Sequence, residues 1–287
     1  LRDTGRKTEA WEGAAQLWNV GYSQDEACDP LFKRWIAHGG GPDDALVWAR
    51  ALKAFDGRRP HLIRYVKRYA SDALKPMLDE LASVYRRPDS LINDVHEPDL
   101  IHAQLMTVGI RRLARVNPEQ ARQALLNAQS SQPFSDLELQ AMETMIVRHS
   151  LFAQAAAPDT WLIEQLERLA DDELTEIYLR NQVAEGHWSA LLTALNWLSP
   201  KASAKDQWRY WRARALESMG QAQEAAQLNA ALATERSYHG FLAADKLGLD
   251  YALNSDPMPA AEAPKDAGFA RVVELMALER VVDAKQE

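Results

Sequence analysis

Five ring-bearing side chains in one short stretch are the residues best equipped for chemistry: Trp208, Tyr210 and Trp211, then Tyr238 and His239. Rings with an apolar face and a polar edge can stack on sugars or hold a peptide. On a period of 3.6 residues Trp208 and Trp211 share a face and Tyr210 lies well around the helix, while Tyr238 and His239 straddle a face boundary. The two tryptophans suit knobs packed between repeats as well as a binding surface, and Tyr210 and His239 suit either role equally. A second candidate is the densest basic run, Arg58, Arg59, Arg64, Lys67 and Arg68, followed by Arg86 and Arg87. It is either a solvated helix face or a face that meets a polyanion or a polar glycan, with Arg64 and Arg68 its candidate contacts.

Other chemistry finds less support. The seven histidines are His38, His61, His96, His102, His149, His187 and His239. None lies in an HExxH motif, and no two share a helix at i,i+4 around an acidic residue, so a metal would need partners distant in sequence. Gly39, Gly40 and Gly41 precede Pro42, whereas a phosphate cradle follows a strand and ends in Gly-Lys-Ser or Gly-Lys-Thr. No G-x-S-x-G elbow is present, and Cys28 sits beside Asp25, Glu26 and Asp29, which oppose a thiolate. The acid pairs Asp43–Asp44 and Asp171–Asp172 fall at helix starts, where carboxylates complement the dipole, and that explains them better than paired catalysis does. No catalytic, metal or cofactor residue is assigned.

The elements that position the aromatic set come from residues 202–248. Trp208, Trp211, Ala215, Leu216 and Met219 mark the inner face of a first helix, closed by Gly220. Ala225, Leu228 and Leu232 mark a second, and Tyr238, Phe241, Leu242 and Leu247 a third, ended by Gly248. This is the shape of a tetratricopeptide-like unit, and antiparallel pairs of this kind must stack to bury their shared face. The expected fold is therefore all-α: a right-handed superhelix of antiparallel helix pairs.

The remaining chain fits that frame. Helices are expected at 8–18, then after a Ser23/Glu26 capping box, at 42–55, 60–70, 72–84, 99–115, 118–128 and 135–149, and from Pro158–Asp159. Further helices follow at 171–186 and along the apolar face Trp188, Leu191, Leu192, Leu195 and Leu198, which Pro200 ends. Residues 87–98 read as a loop or irregular helix. Residues 1–253 make the superhelical part, 254–266 a proline-rich linker, and 267–287 the start of a further domain, one helix at 268–283.

Composition agrees. Apolar residues are 47% and charged residues 26% of the 287, as in folded proteins. With 33 basic and 41 acidic residues the formal charge is −8, a weak profile for a nucleic-acid partner. No apolar run approaches the roughly 20 residues that span a bilayer, and the first residues lack the apolar core of a signal peptide. The abrupt start and the unpartnered last helix point to a mature chain or a fragment.

At these residues a resemblance enters. KDQWRYWRARALESMGQAQEA with RSYHGFLAADKLG resembles the end of the superhelical domain of the large soluble lytic transglycosylases, which cleave peptidoglycan in the periplasm of Gram-negative bacteria. AWEGAAQLWNVGYSQDEACDPLFKRWIAHG resembles an earlier part of that domain, and GFARVVELMALERVVDA the opening of the linker domain after it. The resemblance implies a ring-shaped array that holds glycan strands, borne with a linker and a lysozyme-like catalytic domain, and neither metal nor cofactor. It also implies cleavage of the MurNAc–GlcNAc bond without water, giving 1,6-anhydromuramoyl ends, by a glutamate acting as general acid. The family's Glu-Ser-x-x-Asn-Pro, Gly-Leu-Met-Gln and Ala-Tyr-Asn motifs are missing here, since Met219 and Gly220 follow Glu217–Ser218. The glutamate is thus expected outside this chain. The family also implies a disulfide from Cys28 to a cysteine before Leu1; an unpaired buried thiol is the alternative. Implied partners are peptidoglycan, the protein's own catalytic and linker domains, and other cell-wall proteins. Two competing readings are a tetratricopeptide-like adaptor for a partner's peptide and a complete enzyme with a dispersed site.

Overall fold

The computed structural model describes residues 7–38, 40–93, 96–153, 160–254 and 266–287. Gly39, Asp94, the Pro158–Asp159 helix opening and nearly all of the linker at 254–266 lie outside the described residues. Among the described residues there are α-helices and short 3-10 turns but no strand. The scarcity of β-branched runs and the abundance of Ala, Leu, Gln, Glu and Arg favour this outcome.

Packing divides the chain into two compact units, Leu1–Ala204 and Lys205–Glu287. The first holds α1 (Lys7–Trp18), α2 (Asp29–His38), α3 (Asp44–Asp56), α4 (Pro60–Val66), α5 (Lys75–Arg86) and α6 (Leu100–Ala114). It continues with α7 (Pro118–Ala128), α8 (Asp136–Phe152), α9 (Thr160–Leu169), α10 (Asp172–Glu185), α11 (Trp188–Ala194) and α12 (Pro200–Ser203). The second holds α13 (Asp206–Ser218), α14 (Ala222–Leu232), α15 (Tyr238–Leu247), α16 (Ala267–Ala277) and α17 (Val281–Ala284). Short turns join neighbours that pack together, α3 with α4, α6 with α7, α10 with α11 and α13 with α14, so each pair runs antiparallel.

The core of the first unit is a continuous band of large side chains, among them Trp18, Ile63, Leu78, Leu81, Leu105 and Met106, each buried. Each is worth about 1.5–3 kcal/mol of burial. α6 is central to it and approaches the 3-10 segment Pro88–Asn93 so closely that a Cβ on Gly109 would press into Leu91 and Val84.

The two acid pairs do the same job twice. Asp43 caps α3 by accepting from the Leu46 N–H at 2.8 Å, and Asp171 caps α10 by accepting from Leu174 at 3.0 Å. The second aspartate of each pair reaches a serine 27 residues on: Asp44 accepts from the N–H and hydroxyl of Ser71, and Asp172 from those of Ser199. Each serine hydroxyl then accepts from the N–H three residues later, Leu74 or Ala202. The pairs therefore tie the start of one helix to the turn before a later one, a more specific use than the dipole alone.

Several local expectations are corrected. The cap before α2 is Asp25, which accepts from the Ala27 N–H at 2.8 Å, rather than Ser23, because a 3-10 turn at Glu26–Cys28 precedes the helix. A capping box does occur, at Ser135 and Glu138. Pro200 opens α12 instead of ending the helix before it, since α11 already stops at Ala194 and a proline fits the first helical turn. The final helix breaks in two: Glu279 takes a left-handed φ of 59°, separating α16 from α17. Met219, Tyr238 and Leu247 are exposed, not inward. The buried face of α15 is instead Gly240, Ala243 and Ala244, small residues that bring its backbone close to the turn before it.

Candidate functional site

In the second unit the aromatic residues assemble into one ladder. Tyr238 meets His239 at 5.2 Å between ring centroids, His239 meets Tyr210 at 5.5 Å, and Tyr210 meets Trp211 edge-on at 5.5 Å. The packing of α13 against α15 makes this possible, with Ser237 capping α15 by accepting from the Gly240 N–H at 3.1 Å. Tyr210 is 9% exposed and packs with Leu232, Ala233, Ala243 and Ala244, whereas Tyr238 is 70% exposed. Trp208 is buried and Trp211 half-buried. The ladder thus runs from an anchored inner ring to an open outer one. Burial, partly offset by Asp206, holds His239 below the usual imidazole pKa, so it is a neutral ring at neutral pH.

In the first unit Arg64 and Arg68 lie on the exposed side of α4 and the 3-10 turn after it. Arg68 stacks on Tyr65 at 4.1 Å and donates from Nε to the Tyr65 carbonyl at 3.1 Å. The Tyr65 and Tyr69 hydroxyls are 3.3 Å apart, and burial, with that contact, pushes the Tyr69 phenol up to about 12. Beneath them Arg50, buried, lies 4.4 Å over Trp18 and donates to the Tyr22 carbonyl at 3.3 Å. Among the described residues no carboxylate pairs with it, and burial lowers its pKa.

The same unit contains a basic cleft of about 880 Å³. Arg58 comes from the left-handed turn after α3, Arg111 and Arg115 from the end of α6, and Arg148 and His149 from α8. Arg148 makes a two-pronged bond to Glu173, 2.6 and 3.0 Å, and Arg111 reaches Asp56 at 3.3 Å. Among the described residues Arg58 and Arg115 make no ion pair. Burial and then the neighbouring Arg58 and Arg111 lower the Arg115 pKa, a sign of crowded positive charge. His149 is likewise lowered, by burial first and then by Arg115 and Arg148. Guanidinium forks at this density suit carboxylate or phosphate groups. Of these arginines the sequence singled out Arg58 alone; the others sit on α6 and α8, 53 to 90 residues away.

No protein-family model matches the chain. The soluble lytic murein transglycosylase of Escherichia coli is 26% identical over 281 residues, covering 96% of this chain and 43% of that protein. That of Salmonella typhimurium is 27% identical, with 95% and 43% covered. Among solved structures, an inactive mutant of the Pseudomonas aeruginosa lytic transglycosylase matches with a TM-score of 0.72 and 28% identity, covering 98% of this chain and 47% of the other. A complex of the 70-kDa soluble lytic transglycosylase with bulgecin A matches with a TM-score of 0.72 and 26% identity, covering 99% and 47%. No helix among the described residues is long and apolar enough to cross a membrane. Sequence and fold agree over nearly its whole length, and the chain is homologous to the soluble lytic murein transglycosylases, spanning less than half of theirs.

Proposed function

We propose that this chain is the non-catalytic superhelical scaffold of a periplasmic peptidoglycan lytic transglycosylase, holding glycan strands and bracing a catalytic domain. The observation that carries the reading is the homology over 96% of the chain to soluble lytic murein transglycosylases. The ladder ending at Tyr238 and His239, backed by Tyr210 and Trp211, offers a face on which a sugar ring can stack. Arg64 and Arg68 offer donors to sugar hydroxyls, and the arginine cleft matches the carboxylates that peptidoglycan stem peptides carry. The same reading assigns residues 1–253 to the superhelical domain, 254–266 to a linker and 267–287 to the start of the linker domain. Other cell-wall remodelling proteins are partners of the whole protein under this reading.

The test sets this chain beside a version extended through its gene, with purified sacculi and mass spectrometry of the products. Sacculus binding by the short chain, and 1,6-anhydro-muropeptides from the extended one alone, is the expected result. Release of anhydro-muropeptides by the short chain would overturn the scaffold assignment. A peptide-binding adaptor is the second reading, favoured by an apolar cleft of about 520 Å³ lined by Trp48, Leu52, Met77 and Ile101. Competition of a bound peptide against sacculi separates the two.

A further inference from the structure

Three side chains of the first unit that do not line the arginine cleft converge on one point: Glu80 of α5, His96 of the segment before α6, and His102 in the first turns of α6. Glu80 Oε1 lies 3.7 Å from His96 Nε2 and 3.9 Å from His102 Nδ1, and the three donor atoms all fall within 4.8 Å of one another. In a tetrahedral zinc site with bonds of about 2.0–2.1 Å, neighbouring donors are roughly 3.4 Å apart, so side-chain rotations that draw the donors together and tilt the two rings apart would close this set onto an ion. The two imidazoles are stacked with centroids 4.0 Å apart. Two imidazoles and one carboxylate form a donor set of borderline softness, matched to zinc and its first-row neighbours more than to magnesium or calcium.

The surroundings hold these groups in place. Asp99 caps α6 by accepting from the His102 N–H at 2.9 Å, and the His102 side chain is 3% exposed. Gln132, itself buried, donates to the His96 carbonyl at 3.0 Å, and Asn127 of α7 donates to the Ile92 carbonyl at 2.9 Å. Both amides come from α7 or the turn after it and fix the segment that carries His96. Glu80 and His96 are partly open to solvent, which gives an ion a path in and leaves positions for water.

We propose that Glu80, His96 and His102 form a binding site for a divalent transition ion of the zinc type, tying α5, the segment before α6 and α6 together. The proposal is independent of the glycan reading. Its test is titration of tag-free, chelator-treated full chain with Co2+, read by visible absorption, followed by displacement with Zn2+. One saturable Co2+ per chain, displaced by Zn2+, is expected, together with a rise in Tm on adding Zn2+. His96→Ala and Glu80→Gln, at partly exposed side chains, are expected to weaken binding at least tenfold and to abolish the Zn2+ shift in Tm while keeping the wild-type circular dichroism. His61→Ala, elsewhere on the surface, is expected to change neither. Absence of saturable binding, or binding that survives unchanged in both His96→Ala and Glu80→Gln, overturns the proposal.

Discussion

The side chains of the aromatic ladder differ in what each contributes. Tyr210 is packed among Leu232, Ala233, Ala243 and Ala244, so Tyr210→Ala leaves a cavity and is expected to lower stability by about 3 kcal/mol in chemical denaturation. Tyr238 stands in solvent, so Tyr238→Ala is expected to leave the denaturation midpoint unchanged and to weaken sacculus co-sedimentation several-fold. Equal binding by the two proteins would remove Tyr238 from the glycan surface. His149 gives a pH dependence. Its folded pKa lies below the ordinary 6.5, so below that pH the unfolded chain binds the proton more readily and folding stability falls. Urea titrations from pH 8 down to pH 5 are expected to show this loss, and His149→Gln to reduce it. Parallel pH profiles for the two proteins would mean that burial, with Arg115 and Arg148, does not lower this histidine's pKa in the folded chain.

At the scale of elements, the repeated aspartate pairs make a paired prediction. Asp44→Ala and Asp172→Ala each remove two hydrogen bonds that tie a helix start to a serine turn, and each is expected to cost about 1–2 kcal/mol. In a double-mutant cycle, Asp172→Ala with Ser199→Ala is expected to show coupling of about 0.5 kcal/mol or more, whereas additivity would deny the link. The close approach of α6 to Leu91 and Val84 predicts that Gly109→Ala destabilises by about 1–3 kcal/mol, although alanine is the better helix former. A more stable Gly109→Ala protein would show that the neighbouring side chains yield freely.

For the whole molecule, the proposed scaffold role makes charge distribution the term that would govern contact with an anionic wall polymer. The chain carries a net −8, yet Arg58, Arg111, Arg115 and Arg148 are gathered at one cleft. Binding through such a patch is a local attraction against a general repulsion, and salt screens both within about 10 Å at 0.1 M. Sacculus binding is expected to weaken as salt rises from 50 to 200 mM, and Arg58→Ala with Arg115→Ala to flatten that dependence. A salt response unchanged in the double variant would place the contact elsewhere.

The amino-acid sequence by itself determined the all-α class, the main helix boundaries and the turn glycines Gly186, Gly220 and Gly248, all three in the left-handed conformation. These follow from periodicity and backbone sterics, which act within a few residues. It also carried the family resemblance, in stretches such as KDQWRYWRARALESMG. Only the tertiary structure decided which rings are anchored and which are open, because Tyr210 and Tyr238 have the same chemistry and differ in what packs on them. It alone gathered the arginine cleft from the α3 turn, α6 and α8, and brought Glu80 to His96 and His102, 16 and 22 residues away. Such clusters leave no local pattern to read, since their spacing is set by how helices stack rather than by the chain between them.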